Sequence, residues 1–282
     1  MATLIHETAV IAEGAELGMD VHVGPYTVIG PRVRIGDGSR VGPQVVIDGV
    51  TTIGKDNRFV GQANIGGVPQ DLSYEGEPTH LILGDRNTVR EFVTINRGTV
   101  KGGGVTRVGS DCLFMACCHI AHDCDIGDRV TLANNVLLAG HVEVGAQAII
   151  NGAAASHQFV TVGRNAYVGG LTRIIQDVPP FMIQEGHPSR VRKVNVIGLE
   201  RAGFSLPEIQ GVKDAFRRIY RSSEPRQLIL ENMDGENSGE LVAELVRSLR
   251  RSLIGSKGRY RETLREEFAR QGEQLVLQEV SP

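Results

Sequence analysis

The sequence predicts a mainly β protein, a parallel β-helix followed by a small C-terminal α-helical domain. Branched aliphatic residues recur every six positions through the first two-thirds of the chain, between Ile5 and Ile174. A helix would show apolar spacings of three and four, and a half-buried strand would alternate, so a period of six indicates short strands separated by corners. Beyond Phe204 the apolar period becomes helical.

The six-residue register runs in three stretches, from Ile5 to Ile65, from Leu83 to Ile95 and from Val108 to Ile174. A small or branched residue fills the slot four positions after each aliphatic, as at Val45 and Ala148. Such side chains are what a tight corner of a prism requires. The residues between the stretches, 67–82 and 97–107, are predicted to be loops inserted outside the prism, where binding residues tend to lie.

Cysteine and glycine occupy defined slots of this repeat. Cys112, Cys118 and Cys124 all fall in the corner slot, so they are predicted to be buried structural residues rather than zinc ligands. Glycine often follows the aliphatic residue directly, as at Gly24, and is expected to ease the backbone around the bend. Glycines 102–104 neither follow a strand nor open a helix, which favours a flexible loop over a phosphate cradle.

The predicted domains are a β-helix over residues 1–193, a helical domain over 194–259 and an extension over 260–282 that is helical or disordered. Ser205 and Glu208 form the capping box of a first helix. A second helix is predicted from Gly239 to Leu253. The tail after Gly258 is expected to be either a further helix, from Arg261 to Arg270, or disordered. The exposed face of the first two is basic: Lys213, Arg217, Arg218, Arg221, Arg247, Arg250 and Arg251.

Composition excludes some classes of protein. The net charge of the 282 residues is −3, which gives no bias toward nucleic acid. No apolar run approaches the roughly 18 residues of a membrane-spanning helix. The N-terminus lacks the basic and then apolar pattern of a secretory signal, and the four cysteines crowd into one segment. We therefore expect a cytoplasmic protein without disulfides.

One constellation carries chemistry. In a coil of eighteen residues, His122, Gly140 and Gln158 form one ladder, and Asp123 and His141 form the next. A neutral imidazole can take a proton from a hydroxyl, and a glycine N–H one coil away can stabilise an oxyanion. The spacing therefore predicts acyl transfer. The sequence lacks a Gly-x-Ser-x-Gly motif and a cysteine placed as nucleophile, which favours direct transfer over an acyl-enzyme.

The repeat resembles the hexapeptide-repeat family, whose coils form a left-handed β-helix with three flat sides. Narrower strings resemble the UDP-N-acetylglucosamine O-acyltransferase family of lipid A biosynthesis over roughly residues 1–255. These strings are His-Ile-Ala-His-Asp-Cys at 119–124, Leu-Ala-Gly-His at 138–141, His-Gln-Phe at 157–159, Gln-Asp-Val-Pro-Pro at 176–180 and Gly-Leu-Glu-Arg-Ala-Gly-Phe at 198–204.

The resemblance implies transfer of a 3-hydroxyacyl chain from acyl carrier protein to the 3-hydroxyl of UDP-N-acetylglucosamine, in a homotrimer, without metal or cofactor. It implies His122 as general base, Asp123 as the residue that orients it and the Gly140 N–H as oxyanion donor. The implied substrate-binding residues are His119, His141, His157 and Gln158 in a cleft between subunits, Gln70 and Asp71 on the sugar, Asn195 and Arg201 on the nucleotide, and Gly170 at the acyl chain. The basic helical face would dock the acidic carrier.

Three positions depart from the family: Ser73 where lysine is frequent, Ala202 where a second arginine is frequent, and Ile197 where an acidic residue is frequent. The first two remove positive charge, so a 3-amino sugar nucleotide is an alternative acceptor.

Three further alternatives stay open. The related glucosamine N-acyltransferase carries an extra N-terminal domain, for which the first hexapeptide at Ile5 leaves no room. A metal enzyme of the hexapeptide carbonic-anhydrase type places three histidines on a metal, which His119, His122 and Asp123 match poorly. The last alternative is a non-catalytic binding protein.

Overall fold

A computed structural model describes residues 3–234 and 239–280. The six-residue register forms the strands of a β-helix with three flat sides, and most of these strands are two residues long. In chain order the strands are β1 (Leu4–Ile5), β2 (Val10–Ile11), β3 (Glu16–Leu17), β4 (His22–Val23), β5 (Val28–Ile29), β6 (Val33–Ile35), β7 (Arg40–Val41), β8 (Val46–Ile47), β9 (Val50–Ile53), β10 (Arg58–Phe59), β11 (Asn64–Gly67), β12 (His80–Leu83), β13 (Thr88–Val89), β14 (Thr94–Asn96), β15 (Val105–Val108), β16 (Leu113–Phe114), β17 (His119–Ile120), β18 (Asp125–Ile126), β19 (Thr131–Leu132), β20 (Leu137–Leu138), β21 (Glu143–Val144), β22 (Ile149–Ile150), β23 (Ala155–Ser156), β24 (Thr161–Val162), β25 (Tyr167–Val168), β26 (Arg173–Ile174), β27 (Met182–Glu185) and β28 (Arg190–Val194).

As far as β26, every third strand joins the same parallel sheet. In the described part of the chain the three sheets contain eleven, nine and eight strands and run from β1, β2 and β3 respectively. Residues one coil apart are paired, as His119 is with Leu137 and Ile120 with Leu138. The predicted left-handed parallel β-helix is confirmed. At its C-terminal end β28 pairs antiparallel with β27 and so ends the parallel stacking of that sheet.

The interior is filled by the aliphatic register and the corner slot. Ile29, Ile47 and Ile65 are fully buried in one column, and burial of this kind stabilises by about 25 cal/mol per Å² of apolar surface. Cys112, Cys118 and Cys124 are free and buried in the corner slot, as predicted. Burial raises the pKa of the Cys124 thiol to about 12, so this residue is an inert thiol.

The corners are turned by residues other than those expected. Gly24 and Gly42 do not have positive φ, so the expectation that they ease the bend is wrong. A Cβ on Gly24 would lie 2.8 Å from the carbonyl carbon of Gly42 in the next coil, so glycine is there for space. The bend falls two residues later, where Tyr26 and Gln44 both have φ of 57°.

Both insertions are shorter than predicted. β12 begins at His80 and β15 at Val105, because four residues of each pair in register with the coils beside them. The excluded loops are therefore residues 68–79 and 97–104. The second contains a 3₁₀ turn, Val100–Gly102.

Among the residues that the structure describes, five α-helices follow the strands: α1 (Val196–Arg201), α2 (Leu206–Arg221), α3 (Arg226–Asp234), α4 (Glu240–Ile254) and α5 (Arg265–Val280), the last preceded by a 3₁₀ turn, Arg261–Leu264. The predicted helices at 206 and 239 are confirmed, and the Glu208 carboxylate accepts the Ser205 N–H at 2.8 Å. Helices α1 to α4 share a second apolar core that includes Leu199, Val212 and Leu245. Among the described residues, no helix is long and apolar enough to cross a membrane.

Candidate active site

The site lies at the corner that follows three stacked strands of one sheet, β17, β20 and β23. His122 follows the first of these, Gly140 the second and Gln158 the third. The His141 N–H donates to the His122 carbonyl at 3.0 Å, and the Phe159 N–H donates to the Gly140 carbonyl at 3.2 Å. These bonds stack the corners in the two predicted ladders.

Asp123 is fixed by four hydrogen bonds in a site closed to solvent. Its Oδ2 accepts from His122 Nδ1 at 2.7 Å and from the Thr99 hydroxyl at 2.6 Å. Its Oδ1 accepts the Thr99 N–H at 2.7 Å, and its own N–H donates to the Thr106 hydroxyl at 2.8 Å. The Asp123 side chain is 0% exposed and that of His122 is 12% exposed. A buried carboxylate fully bonded in this way is a rigid anchor for the imidazole.

The insertion at 97–104 covers this carboxylate. A Cβ on Gly102 would overlap the Asp123 carboxylate, so the residue at 102 must be glycine for the turn to close over it. Thr99 and Thr106 were not among the residues that sequence analysis selected. Their only signal is their position at the edges of a break in the repeat.

Asp123, His141 and Phe159 occupy the bend slot of successive coils, with φ of 61°, 63° and 63°. Asp and His are among the residues that tolerate this left-handed conformation best. Their shared geometry stacks the rings: His141 lies on Phe159 with centroids 4.2 Å apart and meets the His122 ring edge-on at 5.1 Å.

Burial decides the charge of the two histidines beside His122, which are His119 and His141. Desolvation lowers the pKa of His141 to about 4, in spite of the Asp123 carboxylate 3.7 Å from its Nδ1. Desolvation also lowers the pKa of His119, whose Nδ1 lies 2.7 Å from the Thr94 hydroxyl. Both rings are therefore neutral at pH 7 and can act as neutral hydrogen-bonding groups.

Gly140 places backbone without a side chain beside the His122 ring. A Cβ there would lie 2.5 Å from His122 Cε1, so only glycine fits without moving the imidazole. Within the described part of the chain, the Gly140 N–H has no hydrogen-bond acceptor. The same slot of other coils holds Pro25 and Pro43, which have no N–H, so the coil ladder does not use this donor. It is free for a ligand.

A cavity of about 660 Å³ opens onto His122 and Gly140. Five other predicted site residues line it: Gln70, Asp71, His119, His141 and Gln158. The Ser73 N–H, with help from its hydroxyl, holds the pKa of Asp71 below its usual range, both at 2.8 Å from Oδ1. Ser73, one of the departures from the family pattern, therefore keeps the carboxylate of Asp71 ionised and oriented.

Four predicted site residues lie away from this cavity. His157 is directed at the Gln158 carbonyl, and Gly170 follows β25 at another edge of the prism. Asn195 and Arg201 line a second cavity of about 590 Å³, which shares no lining residue with the first in the described part of the chain. Asn195 also has a structural task, since its side chain caps α1 by accepting the Gly198 N–H at 3.1 Å.

His122, Asp123 and His141 are the one group of described residues that could hold a metal ion, with a ligand atom of each within 4.8 Å. The Asp123 oxygens already accept three hydrogen bonds, two of them from Thr99. A cation would have to displace these donors, so the geometry favours a proton-transfer role over a metal site.

The chain is similar to known proteins over most of its length. The family model described as UDP-N-acetylglucosamine O-acyltransferase, domain 2, matches residues 177–258. The bacterial transferase hexapeptide model matches residues 14–49 and 106–140. A curated relative from Verminephrobacter eiseniae, named acyl-[acyl-carrier-protein]–UDP-N-acetylglucosamine O-acyltransferase, is 52% identical over 217 residues, which are 77% of this chain and 83% of the relative.

Solved structures of similarly named proteins superpose closely. LpxA from Acinetobacter baumannii has a TM-score of 0.82 at 37% identity and covers 86% of this chain and 96% of its own. The UDP-N-acetylglucosamine acyltransferase of Francisella novicida has a TM-score of 0.84 at 34% identity, and the match covers 88% of this chain and 91% of the Francisella chain. The Arabidopsis enzyme has a TM-score of 0.79 at 33% identity, covering 90% and 98%.

Proposed function

Since this chain belongs to the UDP-N-acetylglucosamine O-acyltransferase family, we propose that it transfers a 3-hydroxyacyl group from acyl carrier protein to the 3-hydroxyl of UDP-N-acetylglucosamine, the first step of lipid A biosynthesis. One observation supports the assignment of roles most directly. The His122–Asp123 pair faces a cavity beside the unpaired N–H of Gly140. The proposed general base and oxyanion donor then lie at the same corner of two neighbouring coils.

The hydrogen bond to Asp123 sets the tautomer of His122. Because a carboxylate accepts at Nδ1, that nitrogen carries the proton and Nε2 keeps its lone pair. Nε2 takes the proton of the sugar hydroxyl while the hydroxyl oxygen bonds to the thioester carbonyl carbon. The C–S bond then breaks, and the thiolate leaves with the proton returned by the imidazolium. Atoms and charges balance without a covalent enzyme intermediate.

The Gly140 N–H is the proposed donor to the oxyanion that forms on the thioester carbonyl. A preorganised donor of this kind contributes on the order of 10²–10³ in rate. Gln70, Asp71, His119, His141 and Gln158 are the proposed contacts to the sugar and acyl chain, because they line the same cavity. His157 and Gly170 are proposed to reach the substrate only in the assembled protein.

We propose a homotrimer in which the second cavity of one chain faces the first cavity of its neighbour. The support is that, within one chain, Asn195 and Arg201 line a different cavity from the one that His122 lines. The basic face of α2 and α4 would dock the acidic carrier protein. Arg217 and Arg250 are exposed there, although each already pairs with an aspartate. We place the reaction in the cytoplasm, a reducing compartment that suits four free cysteines.

Mass spectrometry tests the reaction. The purified protein is incubated with UDP-N-acetylglucosamine or its 3-amino analogue and a panel of 3-hydroxyacyl carrier protein thioesters. A sugar nucleotide heavier by one hydroxyacyl group is expected with the first acceptor, and its mass reads the chain length. Product from the 3-amino analogue alone would change the acceptor, and no product from either would contradict acyl transfer.

The cluster of His122, Asp123 and His141 supports one second candidate, a metal-dependent enzyme. Dialysis against a chelator separates the two. Acyl transfer by the proposed base needs no metal, so turnover is expected to stay unchanged after dialysis. Turnover lost on dialysis and restored by Zn²⁺ would favour the metal-dependent enzyme.

A further inference from the structure

The C-terminal segment, residues 259–280, is bound along the β-helix rather than extended from it. Arg259 is 6% exposed and donates to the Ile175 carbonyl at 2.9 Å. Arg261 donates to the His141 carbonyl at 3.0 Å and pairs with Glu143 at 2.9 Å. The segment thus contacts the backbone of a residue of the candidate active site.

Helix α5 packs closely against the insertion at 97–104, which covers Asp123. A Cβ on Gly272 would overlap the Val100 carbonyl, so the helix and the 3₁₀ turn meet backbone to backbone. Leu275 lies over Gly104, where a Cβ would lie 2.5 Å from Leu275 Cδ2. A mid-helix glycine costs about 1 kcal/mol of helix propensity, so its presence here is explained by close packing.

The first turn of α5 forms part of the wall of the active-site cavity. Arg265 and Ala269 line that cavity together with His122 and Gly140. The Arg265 guanidinium lies 4.1 Å from the centroid of the Phe159 ring. His141 stacks on the same ring at 4.2 Å, and two planar groups at these distances cannot share one face. Phe159 is therefore sandwiched between His141 and Arg265.

Arg265 carries an unbalanced charge into this cavity. Its one carboxylate partner, among the described residues, is Glu262 at 3.0 Å, and Glu262 also pairs with Arg259 at 2.5 Å. One carboxylate thus serves two guanidiniums. The Arg265 side chain is 55% exposed, and of the two nitrogens at its tip and its Nε, Nη2 alone donates to a residue that the structure describes. Lys101 and Asp71 are the other ionised side chains on the cavity wall.

On the basis of the proposed function, we propose that Arg265 is a substrate-binding residue that holds a phosphate group at the mouth of the cavity. A planar guanidinium fixed on an aromatic face presents its edge to a phosphate with two parallel donors. Two sources supply that chemistry in this reaction: the diphosphate of the nucleotide sugar and the phosphate on the phosphopantetheine arm of the carrier.

Steady-state kinetics of Arg265→Ala, with Arg270→Ala as the charge-matched control on the same helix, tests the proposal. Loss of charge-assisted hydrogen bonds is expected to raise KM about tenfold for one substrate, with kcat within about threefold. Arg265→Lys should recover part of the loss. A rise in KM for the nucleotide sugar identifies the diphosphate, and a rise for the acylated carrier identifies the phosphopantetheine phosphate.

Unchanged KM for both substrates would overturn the proposal, as would an equal effect of Arg270→Ala. A fall in kcat alone would assign Arg265 to positioning His141 and would also overturn phosphate binding. Gly272→Ala raises helix propensity, but its methyl group would overlap the Val100 carbonyl and push α5 away from the insertion. This variant should reproduce the KM change. Gln274→Ala, at an exposed site of the same helix, should not. Absence of product from the wild-type protein would instead reject the proposed function itself.

Discussion

At the scale of single residues, the site depends on two adjacent side chains with different surroundings. His122 faces the cavity, whereas Asp123 is sealed beneath the insertion at 97–104. The left-handed bend at Asp123 separates them, and the hydrogen bonds from Thr99 keep the carboxylate from rotating away. The orientation of the His122 ring is thus set by the protein itself before any substrate binds.

Thr99→Val removes the hydroxyl that donates to Asp123 and leaves the backbone donor in place. A looser carboxylate orients His122 less well, so kcat should fall about tenfold with the acceptor KM nearly unchanged. Steady-state kinetics measures this. Thr131→Val, in strand β19, is the control, since its hydroxyl has no partner in the described part of the chain. Equal rates for Thr99→Val and wild type would contradict the role of Thr99.

His141 makes stability depend on pH. Its pKa is about 4 in the folded protein and near 6.5 when unfolded, so the unfolded chain binds more protons between these values. The stability that the neutral ring contributes is present above pH 6.5 and is lost as the pH falls toward 4. The difference in unfolding free energy between wild type and His141→Asn should therefore narrow by about 2 kcal/mol from pH 7 to pH 5. A difference independent of pH would contradict a buried neutral ring.

The ladder residues could be found from the sequence alone, because adding the eighteen residues of one coil leads from His122 to Gly140 and from Gly140 to Gln158. It missed Thr99 and Thr106, since an insertion has no period from which its fold can be calculated. It also had no means of seeing that the Asn195 side chain is engaged as a helix cap.

At the scale of elements, close backbone contact between neighbouring coils leaves no space for a side chain at positions such as Gly24 and Gly42. The sequence shows that glycine often follows the aliphatic residue, but the predicted reason was wrong, because a residue pattern does not show how close the neighbouring coil lies. Helices α2 and α4 were visible through long apolar periods. Helices α1 and α3 were not predicted, since 6 and 9 residues are too few to display one.

Gly42→Ala should destabilise the coil by about 3 kcal/mol, because the added methyl overlaps the Val60 carbonyl and neither backbone can move. Gly152→Ala is the matched control: its Cβ would meet only the Asn134 carbonyl, at 3.4 Å, an ordinary contact. Denaturant unfolding followed by circular dichroism compares the two. Equal denaturant midpoints for Gly42→Ala and Gly152→Ala would contradict the close contact between Gly42 and the Val60 carbonyl.

At the scale of the whole molecule, one chain carries two separate cavities. His122 lines the first, and Asn195 and Arg201 line the second. A homotrimer with heterologous interfaces would join the first of one subunit to the second of the next. The residues alone could not show that the two cavities are separate, because this depends on which faces of the prism they occupy. The cleft between subunits was implied only by the family resemblance.

Mixing two inactive variants tests this arrangement. His122→Ala and Arg201→Ala are expected to be impaired as pure proteins. When they are unfolded together and refolded, about a quarter of the interfaces in a random mixture should combine two intact halves, and activity should return in proportion. Sedimentation should give three times the chain mass of 30.5 kDa. No recovery in a sample that does sediment as a trimer would place the whole site within one chain.

The most direct test of the central claim is the acyl-transfer rate of His122→Ala, measured with the folded assembly verified by circular dichroism and sedimentation. If His122 is the general base held by Asp123, the rate should fall by about 10²–10⁴ while both substrates still bind. A rate within about threefold of wild type would show that proton transfer does not pass through this imidazole, and it would contradict the mechanism.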